Sequence, residues 1–147
     1  MPNSTMPLIC VDSSVVLPLV IEHPLSDVAL NQWQGWKTEN CRFVAPTLLH
    51  YEITNVLHRY CVAGLFSQIT TYTSLQAALV LQIMLYDDNA LHYSARNIAL
   101  THKLPATYDA YYLALSERLG AEFWTADRRL FNRVHEELPW VHCLGAS

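Results

Sequence analysis

The stretch Leu8-Ile9-Cys10-Val11-Asp12-Ser13-Ser14 places four apolar residues directly before an aspartate. A continuous apolar run bounded by polar residues is typical of a strand that is buried on both faces of a parallel sheet. A carboxylate at the end of such a strand is costly to bury unless another group compensates its charge. Ligands of open parallel sheets bind at the carboxyl ends of the strands. The stretch therefore predicts that Asp12 lies at a functional site.

The length and composition of the chain fit a single folded domain over residues 1–147. Hydrophobic residues make up 52% and charged residues 15%, which suits an α/β domain and argues against disorder. The net charge of -4 is not that of a general nucleic-acid binder. A nucleic-acid substrate would therefore require a bound cation or basic residues gathered on one face.

The cysteines are scattered and form no CxxC pair, which argues against a zinc ribbon. They are Cys10, Cys41, Cys61 and Cys143. Cys10 and Cys143 lie in apolar, strand-like runs, so we expect both to be reduced core residues and the protein to be cytoplasmic. Residues 6–21 are apolar but lack a basic segment before them, and Asp12 interrupts them, so we expect no signal peptide. No stretch is long and apolar enough to predict a membrane span.

Hydrophobic periodicity and turn residues predict strands that alternate with helices. The predicted strands are 8–11, 42–45, 83–86, 122–125 and 140–144. The predicted helices cover about 14–22, 26–36, 47–64, 67–82, 89–104, 107–120 and 128–135. The predicted N-caps are Ser13 or Ser14, Thr47, Ser67, Asp88 or Asn89, and Thr107, and the predicted C-terminal glycines are Gly64 and Gly120.

The alternation of strands and helices indicates an α/β fold with right-handed crossovers. We expect a three-layer α/β/α sandwich with a parallel sheet of about five strands. The order of the strands does not follow from this pattern.

Four acidic residues lie at positions compatible with an active site. They are Asp12, Glu52, Asp109 and Asp127. Asp12 is the hardest of them to explain by structure alone. Asp109 would favour a helix dipole just after a threonine cap, and Asp127 would cap the helix that follows it. Glu52 would be a solvated residue on the polar face of its helix. For each residue taken singly, the structural and the functional interpretation both remain open.

Taken together, four motifs resemble a known family. They are Val11–Val15 (VDSSV), Tyr51–Leu57 (YEITNVL), Thr107–Leu115 (TYDAYYLAL) and Trp124–Leu130 (WTADRRL). The chain resembles the PIN-domain ribonucleases, and most of all the VapC-type toxins of type II toxin–antitoxin pairs. The resemblance covers nearly the whole chain in the same order, and the third and fourth motifs are its most specific parts.

The resemblance implies a sheet ordered 3-2-1-4-5 and an acidic site at the ends of its strands. The implied catalytic and metal-binding residues are Asp12, Glu52, Asp109 and Asp127. The implied supporting residues are Ser14, Asn55 and Thr125. Four carboxylates close together cannot all be ionised without a cation, and oxygen ligands suit Mg²⁺ or Mn²⁺. The implied reaction is metal-dependent hydrolysis of RNA phosphodiester bonds.

The resemblance also implies an RNA substrate, a cognate antitoxin protein that covers the site, and a homodimer. Arg128 and Arg129 are the predicted contacts to the RNA backbone, because they lie beside Asp127, with Arg42 or Arg96 as further candidates. The alternative is that they are solvated surface charges. The candidate surface for association consists of Trp33, Trp36, Leu48 and Tyr60, although core packing is the expected fate of any single one of them. The aromatic residues that could stack on bases are Trp33, Trp36, Tyr108, Tyr111 and Tyr112, although such residues more often belong to a core or an interface.

Two alternative functions remain open at this point. One is a stand-alone PIN nuclease without an antitoxin, and the other is a PIN-like fold that only binds another protein. The second alternative predicts the loss of one or more acids, whereas all four are present. No GxxxxGK[ST] or GxGxxG motif occurs, and the HExxH-like start at His135 lacks a second histidine. The sequence therefore favours the ribonuclease.

Overall fold

A five-stranded parallel sheet forms the centre of the computed structural model, which describes residues 6–145. The strands are β1 (Leu8–Val11), β2 (Arg42–Pro46), β3 (Ile83–Tyr86), β4 (Glu122–Thr125) and β5 (Val141–Cys143). Their order is β3-β2-β1-β4-β5, which confirms the order implied by the family resemblance. The ends of the predicted domain, 1–5 and 146–147, lie outside the described residues.

Helices connect the strands and complete the predicted α/β/α sandwich. They are α1 (Ser13–Val20), α2 (Ser26–Thr38), α3 (Leu48–Val62), α4 (Gln68–Leu79), α5 (Asn89–Thr101), α6 (Tyr108–Leu119) and α7 (Arg128–Val134). One group of helices packs around α1, which contacts α2, α3 and α4. On the other side, α6 packs against α5 and against β1, β2 and β4. Within residues 6–145, none of the helices has the length and apolar character needed to cross a bilayer.

The central position of β1 explains its continuous apolar run. Cys10 pairs with Val44 of β2 on one side and with Phe123 of β4 on the other. Cys10 and Val11 have no exposed surface. Because parallel strands end at the same edge, the residues that follow β1 and β4 leave the sheet side by side. As predicted, Cys10 is a free cysteine in the core.

Several of the predicted helix signals are confirmed. Ser67 caps α4 by accepting a hydrogen bond from the Thr70 N–H at 3.0 Å, and Asp88 caps α5 through the Leu91 N–H at 2.9 Å. Gly120 ends α6 with a φ of +66°, a left-handed conformation that costs glycine little.

Other predicted caps are wrong. Asp12, rather than Ser13 or Ser14, is the N-cap of α1. Thr47 and Thr107 precede α3 and α6, but neither side chain caps its helix. Both threonines have helical backbones, whereas a capping side chain reaches the free amides from an extended conformation.

Of the two interpretations of Trp33 and Trp36, core packing is confirmed and a place on the association surface is wrong. They are only 8% and 4% exposed. The Trp33 ring stacks on Phe43 of β2 at 3.9 Å between centroids, and Trp36 meets Trp124 of β4 edge to face at 5.2 Å. These rings attach α2 to the sheet, so they are not available to a partner or to an RNA base.

Candidate active site

The buried carboxylate of Asp12 lies at the end of β1. Only 6% of the residue is exposed. Its Oδ1 accepts hydrogen bonds from the Ser14 N–H at 3.0 Å and from the Ser14 hydroxyl at 2.5 Å. Its Oδ2 accepts a hydrogen bond from the Thr125 hydroxyl at 2.6 Å. Donors on both oxygens hold the carboxylate in one orientation.

The pKa of Asp12 is raised from 3.8 to about 7. Burial is the largest cause, because it penalises the ionised form, and the negative charges of Asp109 and Glu52 raise the pKa further. The hydrogen bonds from Ser14 and Thr125 act in the opposite direction but do not outweigh burial. This coupling of charges means that Glu52 and Asp109 lie near Asp12.

A chain of hydroxyl contacts joins the ends of β1 and β4. Ser14 Oγ lies 3.3 Å from Thr125 Oγ1 and accepts a hydrogen bond from the Ala126 N–H at 2.7 Å. Thr125 Oγ1 also accepts a hydrogen bond from the Asp127 N–H at 3.0 Å. Ser14 and Thr125 therefore orient both Asp12 and the segment that carries Asp127.

Asp127 is exposed and caps α7, as its structural interpretation predicted. Its Oδ1 accepts hydrogen bonds from the N–H groups of Arg129 at 2.9 Å and Leu130 at 3.1 Å. The same side chain contributes to the acidic site electrostatically, because its charge raises the pKa of Asp109. Asp127 therefore both caps α7 and lies near the other carboxylates.

Glu52 is half-buried on α3, so its interpretation as a solvated residue is wrong. The hydroxyl of Tyr112 donates a hydrogen bond to Glu52 Oε1 at 2.5 Å. Burial raises the pKa of Glu52, the Tyr112 bond lowers it, and the charge of Asp109 raises it again. Glu52 is therefore held by α6 and is electrostatically coupled to a carboxylate of the same helix.

Tyr112 was not singled out for this contact by the sequence patterns. It is 1% exposed, and burial is the main reason why its pKa is raised well above its ordinary value, so the phenol stays protonated as a donor. The available signal was its position three residues after Asp109, which places the two side chains on neighbouring parts of one helix face.

Asp109 is half-buried in the first turn of α6. Burial raises its pKa, and the charge of Asp127 raises it further. A favourable interaction with the helix dipole acts in the opposite direction, because it stabilises the ionised form. Burial and repulsion therefore dominate at this position, and helix chemistry alone does not account for Asp109.

The remaining predicted residues lie at the surface around these carboxylates. Asn55 is exposed on α3, one turn after Glu52. Arg128 and Arg129 are exposed at the start of α7. A guanidinium N–H of Arg128 donates to the Gly145 carbonyl at 3.4 Å.

The chemistry of these donors suits a hard divalent cation. Among residues 6–145, no three His, Cys, Asp or Glu side chains are spaced to hold a metal ion between them. The carboxylates nevertheless supply only oxygen donors, and the pKa values of three of them are raised by burial and, to a smaller extent, by mutual repulsion that a cation would relieve. Mg²⁺ keeps several water ligands and commonly takes only one or two carboxylates. The donor set therefore fits such an ion without a preformed cage.

The fold and the site together define an α/β protein with coupled carboxylates at the carboxyl edge of a parallel sheet, where ligands of such sheets bind. Residues 9–137 match the PIN domain, and the chain belongs to this family. PIN domains in general are nucleases that use divalent metal ions. No curated protein matches the sequence.

Three solved structures have a similar fold. PAE2754 from Pyrobaculum aerophilum is 21% identical with a TM-score of 0.64, over 86% of this chain and 84% of that one. VapBC2 from Rickettsia felis, bound to a DNA fragment from its promoter, is 10% identical with a TM-score of 0.66, over 93% and 98%. VapBC-1 from nontypeable Haemophilus influenzae is 17% identical with a TM-score of 0.58, over 88% and 93%. At these identities the likeness concerns the fold.

The raised pKa of Asp12 leads to an expected pH dependence of stability in metal-free buffer. Between its ordinary value of 3.8 and about 7, the folded protein holds a proton that the unfolded chain has released. The free energy of unfolding should therefore fall as the pH rises through this range. We expect urea denaturation with EDTA to show a loss of at least about 1 kcal/mol between pH 5 and 8.

The variant Asp12→Asn removes this titration and should flatten the pH dependence while raising stability at pH 8. The control Asp27→Asn changes an exposed aspartate at the start of α2 and should keep the wild-type slope. Equal slopes for wild type and Asp12→Asn would show that Asp12 is not the group responsible.

Proposed function

We propose that this protein is a metal-dependent ribonuclease that hydrolyses RNA phosphodiester bonds and acts as the toxin of a type II toxin–antitoxin pair. The observation that carries the proposal is the group of carboxylates with raised pKa values at the carboxyl edge of the sheet. Membership of a nuclease family supports it. The proposed catalytic residues and metal ligands are Asp12, Glu52, Asp109 and Asp127. Ser14 and Thr125 support Asp12, and Asn55 is the third proposed supporting residue.

Mg²⁺ or Mn²⁺ is the proposed cofactor. When bound, such an ion lowers the pKa of a water molecule and polarises the phosphodiester group. The protein's own contribution is orientation, since Ser14 and Thr125 hold Asp12 while Tyr112 holds Glu52. Carboxylates that are already oriented lose little conformational freedom when a cation binds.

Metal-dependent cleavage is the direct test of this function. Purified protein with Mg²⁺ or Mn²⁺ should cleave RNA, and EDTA should stop the reaction. Asp12→Asn and Asp109→Asn should lower the cleavage rate by at least about a hundredfold, because several kcal/mol of charge stabilisation depend on the cation. Asp27→Asn, on the exposed start of α2, should cleave like wild type.

Thermal melting of the same proteins separates the alternatives. Wild type should be stabilised by the metal, whereas the two active-site variants should stay folded and gain less from it. A protein-binding module would show neither cleavage nor metal-dependent stabilisation. Undiminished cleavage by Asp12→Asn would contradict the proposed site.

We assign the approach of the RNA backbone to Arg128 and Arg129. Both are exposed and follow Asp127 directly at the start of α7. The chain's net charge of -4 repels RNA at long range, so attraction has to come from local sources. A bound cation and these two guanidinium groups are the proposed sources.

The salt dependence of RNA binding tests these arginines. In the Asp12→Asn background, replacing Arg128 and Arg129 with alanine should weaken binding. On single-stranded RNA, the log–log salt slope should fall by about 0.7 for each phosphate that is no longer neutralised. A control variant in which Lys37 and Arg59 are replaced with alanine loses the same amount of charge at other places. It should bind RNA more like the Asp12→Asn protein. Binding that is unchanged at every salt concentration would contradict the assignment.

An antitoxin partner is proposed because two proteins of similar fold, from Rickettsia felis and Haemophilus influenzae, are VapBC complexes. A homodimer is proposed as well. With Trp33 and Trp36 in the core, the half-buried Leu48 and Tyr60 of α3 are the remaining residues of the predicted association surface. The proposed location is the reducing cytoplasm, which suits the free cysteines of the described chain.

Co-expression with the product of the gene immediately upstream tests the toxin assignment. We expect the two proteins to co-purify and the partner to suppress RNA cleavage, because an antitoxin covers the catalytic site. Sedimentation velocity should show a dimer of this chain at high concentration. Cleavage that the upstream product does not suppress would favour the stand-alone nuclease.

A further inference from the structure

An aromatic cavity of about 230 Å³ lies at the carboxyl ends of β2 and β3. Pro46, which ends β2, and Leu91 of α5 are its buried residues. Tyr86 lines it at the end of β3. The carboxyl end of β2 lies beside that of β1, so the cavity opens on the same edge of the sheet as Asp12.

Two helices contribute residues both to the cavity and to the four-carboxylate site. On α3, Leu48 lines the cavity and lies one turn before Glu52. On α6, Tyr108 lines the cavity and directly precedes Asp109. A strand of RNA that places a phosphodiester group at the carboxylates would therefore bring a neighbouring nucleotide to the cavity.

Two exposed tyrosines present aromatic faces at this cavity. Tyr51 is 74% exposed and Tyr108 is 61% exposed, and both line it. The half-buried Tyr111 also lines it, with its hydroxyl 2.6 Å from Nδ1 of His92. This contact ties α6 to α5. Faces of this kind stack on nucleobases without requiring a particular sequence.

The charge of the cavity favours an uncharged ring over a phosphate group. Among the described residues that line it, none is lysine or arginine, and two are aspartates. Asp88 is paired with the Arg118 guanidinium through hydrogen bonds of 2.7 and 3.0 Å, whereas Asp87 is an exposed acid at the rim. The volume of the cavity is below the roughly 300–1,000 Å³ of pockets that enclose drug-sized ligands, so the cavity suits one ring system.

We propose that this cavity is a nucleobase subsite, in which the tyrosines of α3 and α6 stack on one base next to the phosphodiester bond that is cleaved. The subsite rests on the proposed ribonuclease function and adds to it the position at which the enzyme contacts a base. Tyr51 and Tyr108 provide the stacking surface, and the acidic rim keeps the RNA phosphates outside the cavity.

The test uses an RNA that the wild-type protein cleaves and a set of copies in which one abasic ribose is moved stepwise across the cleaved bond. We expect kcat/KM to fall by about five- to a hundredfold at a single position next to that bond, because the stacking of one base is removed. Tyr108→Leu should cause a similar fall with the intact RNA and no further fall with the RNA that is abasic at that position. Tyr108→Phe keeps the aromatic ring, so it should retain the fall in kcat/KM that the abasic ribose causes at that position.

Controls separate the subsite from effects on folding and on the catalytic site. Tyr72→Leu changes a 65% exposed tyrosine on α4 that does not line the cavity, and it should leave kcat/KM unchanged. Tyr108→Leu should keep the wild-type stabilisation by Mg²⁺, since it removes no carboxylate. A loss of that stabilisation would mean that the substitution acts through Asp109, and it would overturn the subsite.

The failures of the subsite and of the proposed function are distinguishable. Wild-type protein that cleaves RNA but tolerates an abasic ribose at every position overturns the subsite and leaves the ribonuclease intact. The subsite is also overturned if Tyr108→Leu weakens only inhibition by the antitoxin, which would make the cavity a protein-docking site. Wild-type protein that cleaves no RNA with either metal overturns the proposed function, and the subsite with it.

Discussion

The hydrogen bond from the Thr125 hydroxyl to Asp12 Oδ2, 2.6 Å long, connects the two strands on which the acidic site is built. It links the end of β1 to the end of β4 through side chains, just beyond the last backbone pairing of these strands. The same hydroxyl accepts the Asp127 N–H, so one buried threonine orients two of the four acids. Ser14 repeats this arrangement, since it donates to Asp12 and accepts from Ala126. The geometry of the site therefore depends on side-chain hydrogen bonds at the ends of β1 and β4 rather than on loop conformation.

The cost of this arrangement is electrostatic. Burial and mutual repulsion raise the pKa values of Asp12, Glu52 and Asp109, which means that their ionised forms are disfavoured in the metal-free protein. Protons or a cation can relieve the repulsion, and these two therefore compete for the site. Buried carboxylates that repel one another lower the stability of a fold, and such local costs are typical of sites selected for function. The core beneath it compensates, with the rings of α2 packed on β2 and β4.

Much of the fold was predictable because its signals are local. The buried strand before Asp12, the serine and aspartate caps at Ser67 and Asp88, and the left-handed Gly120 each express a backbone requirement in one or a few residues. The errors arose where a residue's role depends on a distant neighbour. Trp36 lies on an amphipathic helix that could equally face a partner, and only its contact with Trp124 identifies it as core. Thr47 has a capping side chain, but its helical backbone prevents the cap.

The acidic residues of the site also differ in how far the sequence alone could identify them. Asp12 could be identified from the chain alone, because a carboxylate that ends a run of buried residues contradicts the hydrophobic pattern around it and so calls for a functional explanation. Glu52 and Asp109 do not contradict the sequence pattern around them, since charged residues are common on helices. Their proximity emerges only when packing brings α3 and α6 together, buries both carboxylates and places the Tyr112 hydroxyl on Glu52. Burial of a strand is recorded in its own residues, whereas the repulsion between two carboxylates depends on their separation in space, which no local pattern encodes.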